Sequence, residues 1–133
     1  MKKINNLYVI DDDKIYHFLF KNLLKQNGIN VTTTFFCNGA EAIDYIKEKK
    51  IEEQYLPDLI LLDVNMPIMN GWQFLEEYTK LVTEFSRSTI YMISSSNDEV
   101  DIKKAQSFEA IVKDYYLKPI CKDDLDKIFL MNR

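Results

Sequence analysis

The sequence predicts an α/β protein: a doubly wound sheet of five parallel strands covered by five helices. Two observations carry this. Short apolar runs alternate five times with segments of helical period. The runs are also continuous, as in Leu59-Ile60-Leu61-Leu62, which is the pattern of strands buried on both faces.

Leu7-Tyr8-Val9-Ile10 reads as the first strand. Asp13 is placed to cap the helix after it, in which Ile15, Leu19 and Leu23 recur every four residues with Phe18 and Leu24 beside them. Gly28 ends that helix. Val31 to Phe36, rich in Thr and Phe, is the second strand. Asn38-Gly39 turns into a helix with Ala42, Ile43 and Ile46 on one face. Pro57 introduces the third strand, Leu59 to Leu62, and Asp63 ends it. The helix after Gly71 carries Leu75, Tyr78 and Leu81 or Val82. Ile90 to Ile93 is the fourth strand, followed by the loop Ser94-Ser95-Ser96-Asn97. Val100 to Phe108 reads as helix, and Val112 to Leu117 as a fifth strand stopped by Lys118-Pro119. Leu125, Ile128 and Phe129 stripe the last helix.

The 133 residues suit a single domain, 1–133, and 47% apolar content is enough for a core. A net charge of -4, with acids and bases mixed along the chain, argues against a nucleic-acid partner. The apolar run after Met1-Lys2-Lys3 stops at Ile10, too short for a signal peptide or a membrane span. Cys37 and Cys121 lack metal-ligand spacing, so two free thiols and a cytoplasmic location are expected. Gly28, Gly39 and Gly71 are the only glycines, which leaves no Gly-rich phosphate cradle.

Right-handed crossovers bring the carboxyl ends of the strands to one edge, where open α/β sheets bind ligands. Asp11, Asp63, Ser94 and Lys118 each follow an apolar strand and so converge there. Carboxylates at ~4 Å repel by about 4 kcal/mol per pair at an effective dielectric of ~20. Asp11, Asp12 and Asp63 therefore call for a proton or a cation between them. Mg²⁺ suits such a site and orients a phosphoryl donor against a carboxylate nucleophile. Lys118 and the Ser94 hydroxyl are suited to binding the transferred oxygens. Each piece alone has a plainer reading: an acidic run is a turn and helix cap, Lys-Pro a chain reversal, Ser94 to Ser96 a polar loop. Asp13 is assigned to the cap. The convergence of four groups on one edge favours the site.

In order and spacing these segments resemble the receiver domains of two-component response regulators. The elements are Val9-Ile10-Asp11-Asp12-Asp13, Pro57 to Pro67 with Asp63 inside it, Met69-Asn70-Gly71, Met92-Ile93-Ser94-Ser95 and Asp114 to Pro119. The resemblance implies a flavodoxin-like (CheY-like) fold with strand order 2-1-3-4-5. It implies a phosphoacceptor at Asp63, with Mg²⁺ held by Asp11, Asp12, Asp63 and the Asn65 carbonyl. It makes Lys118, followed by a cis peptide to Pro119, the contact to the phosphoryl group. Ser94 would be the switch hydroxyl and Tyr115 the aromatic rotamer switch. The implied phosphate source is a histidine kinase or a histidine phosphotransfer protein, and the implied output is altered binding of a protein target. No enzyme activity beyond self-phosphorylation and self-dephosphorylation is implied. A monomer or weak homodimer is expected, with no output domain and no membrane partner.

Departures from the family pattern are Ser88-Thr89 in place of a proline before the fourth strand, and Ala110 to Lys113 in place of Gly-Ala before the fifth. Segments 47–56 and 79–88 are slightly long. The rival readings are a phosphorylation-independent pseudo-receiver, a haloacid-dehalogenase-like phosphatase and an FMN carrier. Asp63 and Lys118 stand against the first. Asn65, where an acid is wanted, stands against the second, and the missing glycine cradle against the third. His17, the only histidine, is expected to be an ordinary helix-face residue.

Overall fold

The chain is described from a computed structural model that covers residues 4–49, 56–81, 88–95, 99–108 and 111–131. In order the elements are β1 (Asn6–Ile10), α1 (Lys14–Gln26), β2 (Thr32–Phe36), α2 (Gly39–Lys49) and β3 (Leu59–Asp63). They continue with α3 (Gly71–Leu81), β4 (Thr89–Ser94), α4 (Glu99–Ser107), β5 (Val112–Leu117) and α5 (Lys122–Met131). The strands pair in parallel in the order β2-β1-β3-β4-β5. The chain thus winds one way from β1 and then returns to wind the other, placing the reversal between β1 and β3.

Alternation along each strand divides the interior into two layers. Tyr8, Ile10, Ile60, Leu62, Ile90 and Met92 face Ala42, Ile43 and Ile46 of α2 and Trp72, Phe74, Leu75 and Tyr78 of α3. Leu7, Val9, Leu59, Leu61, Tyr91 and Ile93 face Tyr16, Phe20 and Leu24 of α1 and Leu125, Ile128 and Phe129 of α5. Every residue of β3 is buried. Each such large side chain contributes about 1.5–3 kcal/mol when removed from water.

The stripe expected on α1 is displaced by one residue. Tyr16, Phe20 and Leu24 face the sheet, with Leu23 partly buried, whereas Ile15, Phe18 and Leu19 are exposed. Positions 15/19/23 and 16/20/24 are both four-residue stripes, and only the direction in which the cap launches the helix decides between them. That cap is Asp13, whose Oδ1 accepts from the Ile15 and Tyr16 N–H groups at 2.9 and 3.2 Å. Gly28, at φ 65, takes the left-handed turn that ends the helix. The stripes read for α2, α3 and α5 all lie inside, apart from Leu81, which is partly buried. Val82 and the loop residues Ser96 and Asn97 lie outside the described residues.

A bulge shapes β5. Ile90 pairs with Val112 but Tyr91 with Asp114, so Lys113 is an extra residue. The alternation shifts after it, and Tyr115 faces the same layer as Val112.

Candidate functional site

Two acids arrive on β1 and one on β3. Asp11 follows β1 directly and is 1% exposed, Asp12 is exposed beside it, and Asp63 is the last residue of β3 and buried. One carboxylate oxygen from each lies within 4.8 Å of the others. Asp11 is anchored at its backbone and at one carboxylate oxygen. Its N–H donates to the Phe36 carbonyl at 3.0 Å, and its Oδ1 accepts the Asp13 N–H at 2.9 Å. Asp13 itself serves the cap and stands outside the cluster, as expected.

Lys118 comes from the other end of the sheet. Its Nζ is 2.6 Å from Asp11 Oδ2 and 3.5 Å from Asp63 Oδ2. Its backbone N–H donates to the Ser94 carbonyl at 2.8 Å, which ties the ends of β4 and β5 together. The Lys118–Pro119 peptide is cis. The ammonium also stands 4.9 Å from the centre of the Tyr16 ring, so an aromatic face supports it from the α1 side. Ser94 is fully buried at the end of β4, and Asn65 is exposed in the loop after β3. Gly71 closes that loop against the site: a Cβ there would lie 2.5 Å from the Asp63 carbonyl oxygen. Asn70 and Gln73 cap α3 reciprocally, each backbone N–H bonding the other's side chain at 2.9 Å.

Burial, then the charge of Asp11, pushes the Asp63 carboxyl up to about 7, with Asp12 adding to the rise and Lys118 opposing it. For Lys118 burial works against the charge. The carboxylates of Asp11 and Asp63 outweigh it and leave the ammonium pKa raised. The Tyr16 phenol is also raised, first by burial and then by Asp11. Among the described residues, the arrangement is an excess of negative charge held by one fixed cation, open to solvent at Asp12. Such a site accepts a divalent cation, and a carboxylate poised beside it can act as a nucleophile.

All seven residues expected at the site lie at the carboxyl edge of the sheet or on the strand behind it. Asp11, Asp12, Asp63 and Lys118 form the cluster. Ser94 joins it through the backbone of Lys118, and Asn65 stands two residues beyond Asp63. Tyr115 is set back on β5, half-buried, along a groove of about 210 Å³ that Ile102 and Ala105 also line. Two further residues reach the site unannounced. Tyr16 lies under Lys118, and the His17 ring nitrogen Nε2 is 2.6 Å from the Asp11 carbonyl. Their signal in the sequence is position alone: the third and fourth residues after an N-cap point back toward the strand that precedes the helix.

A doubly wound sheet carrying acids and a lysine at its carboxyl edge is the architecture of receiver modules. The chain belongs to the response regulator receiver domain family, whose model matches residues 7–129. Among curated relatives, the cell cycle transcriptional regulator CtrA of Caulobacter vibrioides is 35% identical over 117 residues, 88% of this chain and 45% of that protein. The chain thus spans about half the length of this relative. A two component response regulator from Cytophaga hutchinsonii is similar in structure, with a TM-score of 0.85 and 27% identity over 98% of this chain and 97% of that one. The Mn²⁺-bound form of response regulator Rcp1 has a TM-score of 0.71 and 25% identity, over 94% of this chain and 88% of that one. No helix among the described residues is long and apolar enough to cross a membrane.

Proposed function

We propose that this receiver domain takes a phosphoryl group onto Asp63 in a Mg²⁺-dependent reaction and thereby changes its affinity for a protein partner. The observation that carries the reading is the Asp63 carboxylate, buried yet within 3.5 Å of Lys118 Nζ and clustered with Asp11 and Asp12. Asp11, Asp12, Asp63 and the Asn65 carbonyl are the groups to hold the metal. Their hard oxygens and crowded charge fit it, and the manganese named for Rcp1 agrees with that fit. When bound, the ion supplies charge neutralisation for the carboxylates and for the incoming phosphoryl oxygens.

The remaining work falls to the chain. An Asp63 oxygen forms the new P–O bond. The donor's P–N bond breaks, and its electron pair returns to the imidazole of a phosphohistidine on a histidine kinase or phosphotransfer protein. Lys118 stabilises the transferred oxygens, and the Ser94 hydroxyl bonds one of them. The acidic balance of the chain favours a protein over nucleic acid as the partner of this module.

Acetyl phosphate with Mg²⁺ tests the chemistry without the cognate kinase. Intact mass should show one added phosphoryl group, lost with Asp63→Asn and lost when Mg²⁺ is chelated. Labelling that persists in Asp63→Asn would place the acceptor elsewhere.

A further inference from the structure

The carbonyl that His17 holds belongs to the peptide joining Asp11 to Asp12. At 2.6 Å the His17 Nε2 faces an atom that can only accept, so this nitrogen carries the proton and donates. The imidazole is fixed from its other side by Phe35 of β2, with ring centroids 4.9 Å apart and a 35° tilt. Phe35 is itself in register with Val9 of β1. The His17 backbone N–H donates to the Asp13 carbonyl at 3.1 Å, so the residue is locked into the first turn of α1.

A peptide is planar, so holding its oxygen sets the direction in which the chain leaves Asp11 and where the Asp12 Cα stands. The Asp11 carboxylate is fixed separately, by the Asp13 N–H on Oδ1 and Lys118 on Oδ2. The spacing of the Asp11 and Asp12 carboxylates therefore depends on the peptide that His17 orients.

We infer that His17 is a positioning residue for the metal site: its Nε2–H clamps the Asp11 carbonyl and presets the two neighbouring acids for one cation. This rests on the reading of Asp11 and Asp12 as metal ligands. Outer donors that orient metal ligands are worth about 10–100-fold in metal affinity where they have been removed.

The experiment titrates Mn²⁺, followed by the EPR signal of the free ion, into wild type, His17→Phe and His17→Gln. Phe keeps a ring against Phe35 and lacks the donor; Gln keeps an N–H at a similar reach and lacks the ring. Circular dichroism confirms that each protein is folded. The expected result is about tenfold weaker binding in His17→Phe, with His17→Gln within about twofold of wild type. Equal affinity in all three overturns the inference, and so does a loss in His17→Gln as large as or larger than that in His17→Phe, because the donor then does not carry the effect. Failure of wild type itself to bind Mn²⁺ would instead overturn the metal reading, and the inference with it.

Discussion

Lys118 Nζ sits 2.6 Å from Oδ2 of Asp11, a carboxylate that is only 1% exposed. The lysine is the fixed countercharge of the acidic cluster, so its loss leaves a buried carboxylate uncompensated. Removing one partner of a buried ion pair costs about 3–5 kcal/mol. Lys118→Ala should therefore unfold at lower urea concentration in EDTA at pH 7.5, by about 3 kcal/mol, toward the lower end because Lys118 keeps some solvent contact. The deficit should shrink at pH 5, where Asp63 holds a proton and the cluster carries less charge. A deficit independent of pH would show that lost packing on Tyr16, and not charge, is responsible.

The pH dependence of the metal-free wild type follows from Asp63. Its folded-state pKa, about 7, lies above the ordinary value of 3.8 for this side chain, so the folded state binds the proton more tightly than the unfolded chain. Between those values the folded state holds more protons, and stability from this group falls as pH rises. Its contribution is full below about pH 4 and lost by the time pH passes about 7. Asp63→Asn cannot titrate and should flatten this part of the profile, leaving it more stable than wild type at pH 8 in EDTA. Urea unfolding of both proteins from pH 4.5 to 8 measures the difference. Parallel profiles would mean that Asp63 is not the group that titrates.

Gly71 meets Asp63 through the backbone. A Cβ there would stand 2.5 Å from the Asp63 carbonyl, 3.1 Å from Met92 Cε and 3.1 Å from the Val64 Cα. The flexible methionine can give way and the two backbone atoms cannot. Gly71→Ala should cost about 1–3 kcal/mol, typical of overpacking, although alanine is the better helix former. It should also slow labelling of Asp63 by acetyl phosphate, because relief of the clash moves the acceptor strand. Unchanged stability and labelling would show that the loop repacks freely.

Much of this was legible because strands and polar ends carry strong local signals. A continuous run such as Leu59 to Leu62 can only be satisfied inside, and the polar residue after it then falls at the sheet edge. Asp13 had both a strand behind it and an amphipathic segment ahead, which marks a cap. The direction of α1 was not legible: tyrosine counts weakly as apolar, yet Tyr16 is the residue that reaches the core while Ile15 and Leu19 face water. The bulge at Lys113 was hidden as well. Strict alternation in β5 would have put Val112, Asp114 and Tyr116 on one face, and one extra residue places Tyr115 with Val112 instead. His17 was read as an ordinary helix residue because its position after the cap is its one signal, and position does not show which carbonyl the ring will meet.

The bulge bears directly on how the acceptor site reaches the far side of β5. Ser94 pairs with Leu117 and Met92 with Tyr115, so Ser94 and Tyr115 share a face of the sheet, two register positions apart on neighbouring strands. Ser94 is fully buried, while Tyr115 is half-buried beside the groove that Ile102 and Ala105 line. If the Ser94 hydroxyl turns to bond a phosphoryl oxygen on Asp63, it vacates space that the Tyr115 ring can take, which changes the surface between α4 and β5. Ser94→Ala should still be labelled by acetyl phosphate, but the Tyr115 ring resonances should move less than in labelled wild type. Ala105→Leu tests the other end by filling the groove: it should leave labelling intact and block the shift of Tyr115. The measurement is a set of aromatic ¹H–¹³C NMR spectra of the three proteins with and without the phosphodonor. Equal Tyr115 shifts in wild type and Ser94→Ala would sink the coupling, because the hydroxyl would then contribute nothing to it.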